Sequence, residues 1–396
     1  MQISNTELVD MLQHLVAIPS VNPGFATPED DPSHFGEQRY GEYLAEELRK
    51  IGCDVWLEEV LPGRHNVMAR IPGTDGSHSI ALQSHLDTVQ ITNMTVPPWG
   101  KLEGNKLYGR GSADPKASTV AQLAALKYIA QQKQIAADVY FIGTVDEELT
   151  AKGALHIADN YKFHGCIVGE PTNLAPIVAH KGTVRFELVA EGIACHSSNP
   201  HLGQNAILEM MSLLAAFQDP FTAYTASHTH PLTGAATWAP TLIDGGEGLN
   251  TVPAACRLAI DRRLVPGETP EQVLEFIDKW LTDQRLQGHP WRRGRVFIAD
   301  PPLESDLDSH LLMALQQALK SLGLHAQPQG VAYSTDASKI SKSGTPCVVF
   351  GPGSIAKAHS ADEWVDITTI RTAAQVLITT IETLDGQLRQ TSPCLG

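Results

Sequence analysis

The sequence predicts an α/β protein in which a mixed, mostly parallel sheet flanked by helices is interrupted by an inserted α+β domain. Over roughly the first 180 residues, short apolar runs alternate with amphipathic stretches, which is the pattern of βαβ units. Polar clusters directly follow several of these runs, as expected where parallel strands end at one edge of a sheet. From about Lys181, apolar and polar residues alternate instead, which is typical of half-exposed antiparallel strands.

In the first part of the chain, helices are predicted where apolar residues recur at helical spacing. Leu8, Leu12 and Leu15 mark the first helix, which Ser4 or Asn5 would cap. The other predicted segments of this part are a loop over 22–33, helices over 36–50 and 117–132, and strands over 55–60, 66–71, 80–83, 139–144 and 166–168.

The inserted part is predicted to contain two strand–helix–strand units before the chain returns to the first domain near Pro301 and Pro302. In the inserted part, the predicted segments are a strand over 183–189, helices over 205–217 and 271–281, and Thr-, Gly- and Pro-rich strands up to Arg263. After the return to the first domain, they are a helix over 307–322, a strand over 348–350 and a helix over 368–384. We therefore predict a discontinuous domain of residues 1–180 and 298–396, with residues 181–297 inserted.

The composition is that of a globular protein, with 42% hydrophobic and 18% charged residues. Its 44 Asp and Glu outnumber its 29 Lys and Arg, which gives a formal net charge of −15. This acidic balance argues against binding to nucleic acid or to an anionic membrane, because both need a basic protein face. No apolar run reaches the about 20 residues that span a bilayer, and the N-terminus lacks the basic start and apolar core of a signal peptide.

Six cysteines are scattered along the chain, without the short spacings of zinc fingers or of a dense disulfide framework. They are Cys53, Cys166, Cys195, Cys256, Cys347 and Cys394. We therefore expect free thiols and a cytoplasmic protein, because thiols stay reduced in that compartment.

Candidate metal ligands begin with His85 and Asp87, which lie two residues apart at a predicted strand end and so leave the strand on the same face. A metal-binding histidine commonly donates its other ring N–H to a carboxylate, which Asp87 could supply. A structural His–Asp pair is the alternative.

The segment 109–116 has glycines, but its spacing fits neither the P-loop nor the dinucleotide fingerprint. Asp114 is therefore either a ligand or part of an Asp-Pro turn that caps a helix at Ala117.

Three more acidic or histidine-containing segments follow predicted strands. Asp146, Glu147 and Glu148 would form a solvated acidic turn unless a divalent cation offsets their repulsion; one glutamate could then bind metal while its neighbour acts on water. Glu170 follows another strand, and His359 follows the last one. Together the histidines and carboxylates form an N/O ligand set for divalent metals, and one carboxylate can bridge two ions about 3.5–4 Å apart.

In this order, the motifs resemble those of a family of di-zinc amidohydrolases that includes acetylornithine deacetylase, succinyl-diaminopimelate desuccinylase, aminoacylase and glutamate carboxypeptidase. The resemblance covers nearly the whole chain and implies a zinc-peptidase-like catalytic domain. The segments that carry it are 84–89, 108–116, 146–148, 169–172 and 359–363.

The resemblance implies that five side chains hold two divalent metal ions, with zinc expected and cobalt or manganese as alternatives. These ligands are Asp114 as the bridge, His85 and Glu170 at one ion, and Glu148 and His359 at the other. Glu147 would be the general base toward a water held between the ions, and Asp87 would orient His85.

The inserted domain resembles the lid and dimerisation domain of the family, so a homodimer is expected. His196 matches the histidine that stabilises the developing oxyanion, typically from the partner subunit. Asn250 and Arg263 match positions that contact the substrate carboxylate, with the adjacent Arg262 as the alternative to Arg263. Gly353 would shape the substrate pocket.

The residue after the bridging aspartate departs from the family pattern. Relatives usually have a residue other than proline there, and the peptide bond is typically cis. Because an X–Pro bond adopts the cis form far more readily than other peptide bonds, we expect the Asp114–Pro115 bond to be cis.

The resemblance implies a zinc-dependent hydrolase of linear amides, acting on an N-acyl amino acid or a short peptide. Acetylornithine deacetylase-like activity is the first expectation. A desuccinylase, an aminoacylase, and a metallo-carboxypeptidase or dipeptidase of the same family are alternatives that share the chemistry and differ in the substrate pocket. A catalytically silent binding homologue is disfavoured because Glu147 and all five ligands are present. A phosphate-binding transferase that uses residues 109–112 is a further alternative.

Overall fold

The computed structural model describes residues 4–132 and 134–391, and the chain divides into two compact units. The first unit comprises Met1–Val178, Ser305–Gln329 and Thr335–Gly396. The second comprises Ala179–Glu304 and Gly330–Ser334. The role of the inserted segment as a lid and dimerisation domain stays a prediction.

Nine α-helices lie within the described residues. They are α1 (Asn5–Ala17), α2 (Gln38–Ile51), α3 (Lys116–Gln132), α4 (Lys152–Asn160), α5 (Ala206–Ala226), α6 (Pro270–Leu286), α7 (His310–Ser321), α8 (Ala337–Ile340) and α9 (Ile367–Thr391). The side chain of Ser4 caps α1 by accepting a hydrogen bond from the N–H of Glu7. Gly52 ends α2 in the left-handed conformation that glycine adopts without strain.

Twenty strands lie in the same described ranges. They are β1 (Asp54–Leu61), β2 (Arg64–Ile71), β3 (Ser79–His85), β4 (Lys101–Glu103), β5 (Lys106–Tyr108), β6 (Asp138–Thr144), β7 (Gly165–Val168), β8 (Ile177–His180), β9 (Gly182–Glu191), β10 (Cys195–His196), β11 (Thr229–His230), β12 (Gly234–Ala235), β13 (Thr237–Gly245), β14 (Thr251–Val252), β15 (Ala255–Leu264), β16 (Trp291–Asp300), β17 (Leu303–Glu304), β18 (Gln329–Val331), β19 (Cys347–Val349) and β20 (Trp364–Asp366).

The main sheet has nine strands in the order β1-β2-β6-β3-β7-β19-β8-β17, with β18 paired to β8, and it confirms the predicted fold class. Its strands β6, β3, β7 and β19 are parallel, and β1 and β2 run antiparallel at one side. Parallel strands need crossover connections, which the helices between them supply. The carboxyl ends of the four parallel strands therefore lie at a common edge.

The core of the first unit combines the sheet with helices α1, α2, α3, α7 and α9. Each helix contributes a fully buried aliphatic side chain, and the central strands contribute more: Leu12, Leu44, Leu123, Leu315, Ile381, Ile80, Leu82, Val139 and Val348. This buried layer holds the parallel strands rigid, and their ends therefore have a defined geometry.

The second unit contains a four-stranded antiparallel sheet with the order β13-β15-β9-β16. Helices α5 and α6 contribute to its core together with the strands, through Phe186, Leu213, Phe217, Leu258 and Ile277. Strand β13 is an edge strand of this sheet.

Some element bounds differ from the sequence prediction. Helix α5 continues through Pro220 to Ala226 instead of ending near Phe217, and Phe221 and Thr225 remain buried after the proline. Burial of this continuing apolar face outweighs the helix bond that proline removes. Helix α4 and the β4–β5 hairpin were not predicted, because both are too short to show a clear period.

The cysteines Cys53, Cys166, Cys195, Cys256 and Cys347 are free thiols, and Cys394 lies outside the described residues. Of the helices in the described part of the chain, none combines the length and the apolar character needed to cross a membrane.

Candidate active site

The carboxyl ends of the parallel strands bring the predicted metal ligands together. The ligands follow these elements: His85 ends β3, Glu148 follows β6, Glu170 follows β7, His359 follows β19, and Asp114 lies in the turn before α3. Because β6, β3, β7 and β19 are neighbours in the sheet, residues far apart in the chain become neighbours at its edge.

The carboxylate of Asp114 lies between the two histidines. Its Oδ1 is 3.0 Å from Nε2 of His85, and its Oδ2 is 3.4 Å from Nε2 of His359. On the first side, Oε1 of Glu170 is 3.9 Å from Nε2 of His85. On the second side, Oε1 of Glu148 is 3.1 Å from Nε2 of His359. Asp114 therefore belongs to two groups of three ligand atoms, and the atoms of each group lie within 4.8 Å of one another.

These distances fit one divalent ion in each group. Two donors bound to the same zinc ion at about 2.0–2.2 Å lie at most about 4.4 Å apart. The two histidine–Asp114 distances, together with the His85–Glu170 and His359–Glu148 distances, run from 3.0 to 3.9 Å and satisfy that limit. Imidazole nitrogens and carboxylate oxygens form a donor set that zinc, cobalt and manganese accept.

The protonation of the site reflects crowded, buried charges. Burial raises the pKa of Glu147 and Glu170 well above the usual range, and repulsion from neighbouring carboxylates adds to the shift. Burial alone lowers the pKa of His359, but its bonds to Asp114 and Glu148 outweigh this effect and raise that pKa to about 11. A divalent cation among these carboxylates would offset their mutual repulsion.

Asp87 holds the turn that carries the two glutamates. Its Oδ1 accepts the backbone N–H of Glu147 at 3.0 Å, and its Oδ2 accepts that of Glu148 at 3.1 Å. Nδ1 of His85 lies 3.0 Å from the backbone carbonyl of Asp87 and 3.6 Å from its carboxylate. Asp87 therefore contacts His85, a predicted ligand, and the turn that carries Glu147, the predicted base, and Glu148, another predicted ligand.

Asn22 is a fully buried contributor that the sequence reasoning missed. Its side-chain amide donates to Asp87 at 2.7 Å and to Asp146 at 3.1 Å. The sequence placed Asn22 in a loop, and its partners lie 65 and 124 residues further along the chain. No local pattern could have indicated this contact.

Arg64 and Glu37 support the same turn from the other side. Arg64 donates to Asp146 through Nη1 at 2.9 Å and to Glu37 through Nε at 2.8 Å, with a second bond from its Nη2 to Glu37. Asp146 has a φ of 70°, in the left-handed region that side chains rarely adopt. These ion pairs and Asn22 hold Asp146 in that conformation, so Glu147 and Glu148 leave the turn in fixed directions.

Asp336 is a second missed group near the predicted base. It is fully buried and accepts hydrogen bonds from the Gln83 amide at 2.8 Å and the Thr144 hydroxyl at 2.7 Å. Burial raises the pKa of Asp336 to about 6. The charge of Asp336 in turn helps to raise the pKa of Glu147.

The remaining predicted residues fall in different places. His196 and Asn250 lie in the second unit, where His196 is exposed and its Nδ1 lies 2.8 Å from the Ser198 hydroxyl. The backbone carbonyl of Asn250 accepts the N–H of Ser197. The side chain of Asn250 takes no part in that bond and is exposed.

The two candidate arginines of the second unit differ in burial. Arg262 is fully buried and is paired with the equally buried Glu268. Arg263 is partly exposed and donates to Asp261 at 2.7 Å and to Thr183 at 3.1 Å. Of these two arginines, Arg263 is the one whose side chain reaches the surface of the unit.

Gly353 lies in the first unit with a φ of 82°, a conformation that favours glycine. A Cβ added there would meet Ala113 at 3.5 Å and Pro171 at 3.6 Å, and these residues adjoin Asp114 and Glu170. The Asp114–Pro115 peptide bond is cis, as expected.

Comparison with known proteins agrees with this geometry. Residues 81–383 match peptidase family M20/M25/M40. An acetylornithine deacetylase of Vibrio atlanticus (strain LGP32) is 32% identical over 362 residues, covering 88% of this chain and 92% of that protein. A metallo-carboxypeptidase of the M20 family from Sulfolobus solfataricus has the same fold, with a TM-score of 0.76 at 18% identity, covering 96% of this chain and 99% of that one. A dinuclear metal-binding M20 peptidase from Bacillus subtilis gives a TM-score of 0.69 at 16% identity, covering 95% of this chain and 97% of that one.

The protein is therefore a hydrolase that acts on amide bonds, as its fold and its relatives establish. More specifically, the chain belongs to peptidase family M20/M25/M40.

The contacts of Asn22 lead to a stability prediction. We expect Asn22→Ala to lower the free energy of unfolding by about 1–3 kcal/mol, because two buried carboxylates lose a shared donor. Urea unfolding of the metal-free protein measures this change. Asn160→Ala is the matched control, because the side-chain amide of Asn160 donates to the backbone carbonyl of His156 at the exposed end of α4. This substitution should change the free energy of unfolding by less than about 0.5 kcal/mol. Equal effects of the two substitutions would contradict the assigned role of Asn22.

Proposed function

We propose that the protein is a two-metal deacylase that removes the acyl group of an N-acyl amino acid, with N-acetylornithine as the first substrate to test. The observation that carries this proposal is the Asp114 carboxylate, which directs one oxygen toward each of two ligand groups. The substrate class is supported by the 32% identity to an acetylornithine deacetylase over most of the chain. A desuccinylase, an aminoacylase and a dipeptidase are the competing substrate assignments.

In this proposal, each ion has three protein ligands. Asp114, His85 and Glu170 would hold one ion, and Asp114, Glu148 and His359 the other. Bound zinc supplies Lewis-acid chemistry, lowering the pKa of water and polarising the carbonyl of the scissile amide. The rigid sheet sets the spacing of His85, Glu148 and Glu170, which lie at or just after strand ends, whereas Asp114 lies in the turn before α3 and His359 in the segment after β19.

Glu147 is the proposed general base. Its carboxylate takes a proton from the attacking water and delivers it to the nitrogen of the departing amine. Glu147 lies next to the proposed ligand Glu148 and shares a group of possible metal-binding side chains with His85 and Glu148, which places it beside the proposed ions. Asp87 binds the N–H of Glu147 at 3.0 Å and so positions the base. The water oxygen bonds to the acyl carbon, the C–N bond breaks, and transfer of the proton to the amine nitrogen restores the ionised carboxylate.

Four further residues are proposed to act on the substrate. Arg263 would bind the substrate carboxylate with its planar fork, after exchanging its bond to Asp261. Arg262 is not proposed for this task, because its guanidinium is fully buried and paired with Glu268. Asn250 would assist Arg263, His196 would stabilise the developing oxyanion, and Gly353 would shape the pocket beside Asp114.

A hydrolysis screen tests the proposed substrate class. The zinc-loaded protein is offered N-acetyl, N-succinyl and N-formyl amino acids, including N-acetylornithine, together with dipeptides. We expect N-acetylornithine to give the highest kcat/KM. Preferential cleavage of an N-succinyl substrate or of dipeptides would replace this assignment by a desuccinylase or a dipeptidase. Absence of any amide hydrolysis with two ions bound would support a silent binding homologue.

The role of Glu147 gives a separate prediction. Glu147→Gln should retain both metal ions and lower turnover by about 10²- to 10⁴-fold, the usual contribution of a positioned base. Metal content by elemental analysis and kcat on the best substrate measure the two effects. Glu103→Gln is the control, because Glu103 is exposed on β4 and should leave both values unchanged. Near-normal turnover of Glu147→Gln would remove it as the base.

We further propose that the second unit forms a homodimer through the β13–α5 surface, defined by Leu208, Met211, Leu242 and Ile243. These four side chains are between 60% and 74% exposed. Ile207 of α5 lies beside the end of β13, since a Cβ on Gly245 would meet it at 3.3 Å. An exposed apolar edge strand invites pairing, and two copies related by a two-fold axis can pair the same strand antiparallel.

Sedimentation at micromolar concentration tests the dimer. We expect the unchanged protein to sediment as a dimer and Leu242→Asp as a monomer, because a charge at this position opposes burial. Leu286→Asp is the matched control at another exposed leucine, which lies at the end of α6 and is 83% exposed against 74% for Leu242, and it should remain dimeric. A monomeric unchanged protein, or identical behaviour of the two variants, would contradict the proposed surface.

A further inference from the structure

Glu363 is a fully buried glutamate whose carboxylate is surrounded by donors from one short segment. Its Oε1 accepts the backbone N–H of Ala113 at 3.0 Å and that of Asp114 at 3.1 Å. Its Oε2 accepts the N–H of Gly111 at 3.1 Å and Nη1 of Arg110 at 2.7 Å. Three of the four donors are thus backbone groups of the turn that carries the shared ligand Asp114.

The same residue is tied to that segment through its backbone. The carbonyl of Glu363 accepts the N–H of Gly109 at 3.0 Å, and the carbonyl of Ala361 accepts the N–H of Thr95 at 2.8 Å. Directly after Glu363, β20 pairs antiparallel with β5, which precedes the Asp114 turn. His359 lies four residues before Glu363 in this anchored segment. The bonds therefore fix the Asp114 turn to the segment that supplies the ligand His359.

We infer that Glu363 is a positioning residue that sets the Asp114 carboxylate against His359 and so preforms the second metal site. This inference rests on the proposed two-metal function. Asp114 and His359 come from segments 245 residues apart, and their side chains must meet to within a few tenths of an ångström to share an ion. A single carboxylate that binds the N–H of Asp114 itself provides that alignment.

A buried ion pair by itself is weak support for a functional role, because such pairs also occur as purely structural elements. The pair of Arg262 and Glu268 in the second unit is of that kind. Glu268 accepts one arginine donor and the N–H of Val265 at 2.9 Å, and it contacts none of the proposed metal ligands. It matches Glu363 in burial and in its arginine partner, and it differs in the segment that it holds.

The chemistry of the donors predicts the effect of an amide substitution. Both oxygens of Glu363 face N–H groups only. In Glu363→Gln, the NH₂ group would face N–H donors on one side, so at least one pair of bonds is lost. The Asp114 turn then has fewer constraints, and the Asp114 carboxylate is less well aligned with His359.

The test compares Glu363→Gln with Glu268→Gln by competition with a chromophoric chelator for zinc and by the visible spectrum of the cobalt-loaded protein. We expect Glu363→Gln to bind one of its two ions about 10- to 100-fold more weakly, as is typical when a residue that orients a ligand is lost, and to change the cobalt spectrum. Glu268→Gln should keep both the affinities and the spectrum. Unchanged metal binding by Glu363→Gln would overturn the inference, and so would an equal loss in both variants.

Hydrogen exchange of the unchanged protein gives a second measurement, which applies even if Glu363→Gln does not fold. The amides of residues 109–114 should be protected in the metal-free protein as well as in the zinc-loaded one. Full exchange of these amides in the metal-free protein would show that metal, and not Glu363, orders the turn. If the unchanged protein binds no metal at all, the proposed function fails; if it binds two ions and Glu363→Gln matches it, only this inference fails.

Discussion

Mutual repulsion among carboxylates that the sheet gathers at one edge is the constraint on which the site depends. Asp114, Glu147, Glu148 and Glu170 are all drawn from strand ends or from the turn before α3, and burial removes the water that would otherwise screen them. A stable fold can tolerate such a cluster only if positive charge lies among the oxygens or if protons bind to them. The imidazoles of His85 and His359 meet part of this need. Two divalent ions would supply the rest of the positive charge, so the crowding of the carboxylates supports the proposed two-metal function.

Hydrogen bonds from residues next to the proposed ligands hold the charged side chains of the site in place. The carboxylates of Asp87 and Glu363 face backbone N–H groups of the segments that carry the ligands, so each converts a flexible turn into a fixed one. Asn22 and Arg64 then bind the supporting carboxylates in turn. Backbone donors are well suited to this task, because they cannot move away without disrupting the chain itself. The acidic residues of the site therefore fall into two groups. Asp87 and Glu363 hold the backbone of the turns, whereas the carboxylates gathered at the edge of the sheet are the proposed metal ligands and base.

The fold class could be predicted from the sequence because it follows from local patterns, whereas the individual ligand assignments depended on the resemblance to a known family and remain a proposal. Apolar runs predicted β3, β6 and β7, and the rule that functional groups follow parallel strands placed His85, Glu148 and Glu170 together. The supporting residues could not be predicted in this way. Asn22 reaches Asp87 across 65 residues, and Arg110 reaches Glu363 across 253, so neither contact has a local signature. The end of α5 was misjudged for a related reason, since only tertiary burial of Phe221 and Thr225 shows that the helix continues past Pro220.

The division into two units separates two kinds of requirement on the sequence. The proposed metal ligands and Glu147 all lie in the first unit, where their spacing depends on the rigid parallel sheet. Arg263 and Asn250, which are proposed to recognise the substrate, and His196, which is proposed to stabilise the oxyanion, lie in the second unit on antiparallel strands or the loops between them. In the proposed function, hydrolysis of any amide needs the first set and His196, whereas the choice among acyl amino acids and peptides depends on Arg263, Asn250 and the pocket near Gly353. Because bond cleavage and substrate recognition would thus depend on different residues, substitutions at Arg263 or Asn250 could redirect the choice of substrate while the proposed metal ligands stay unchanged.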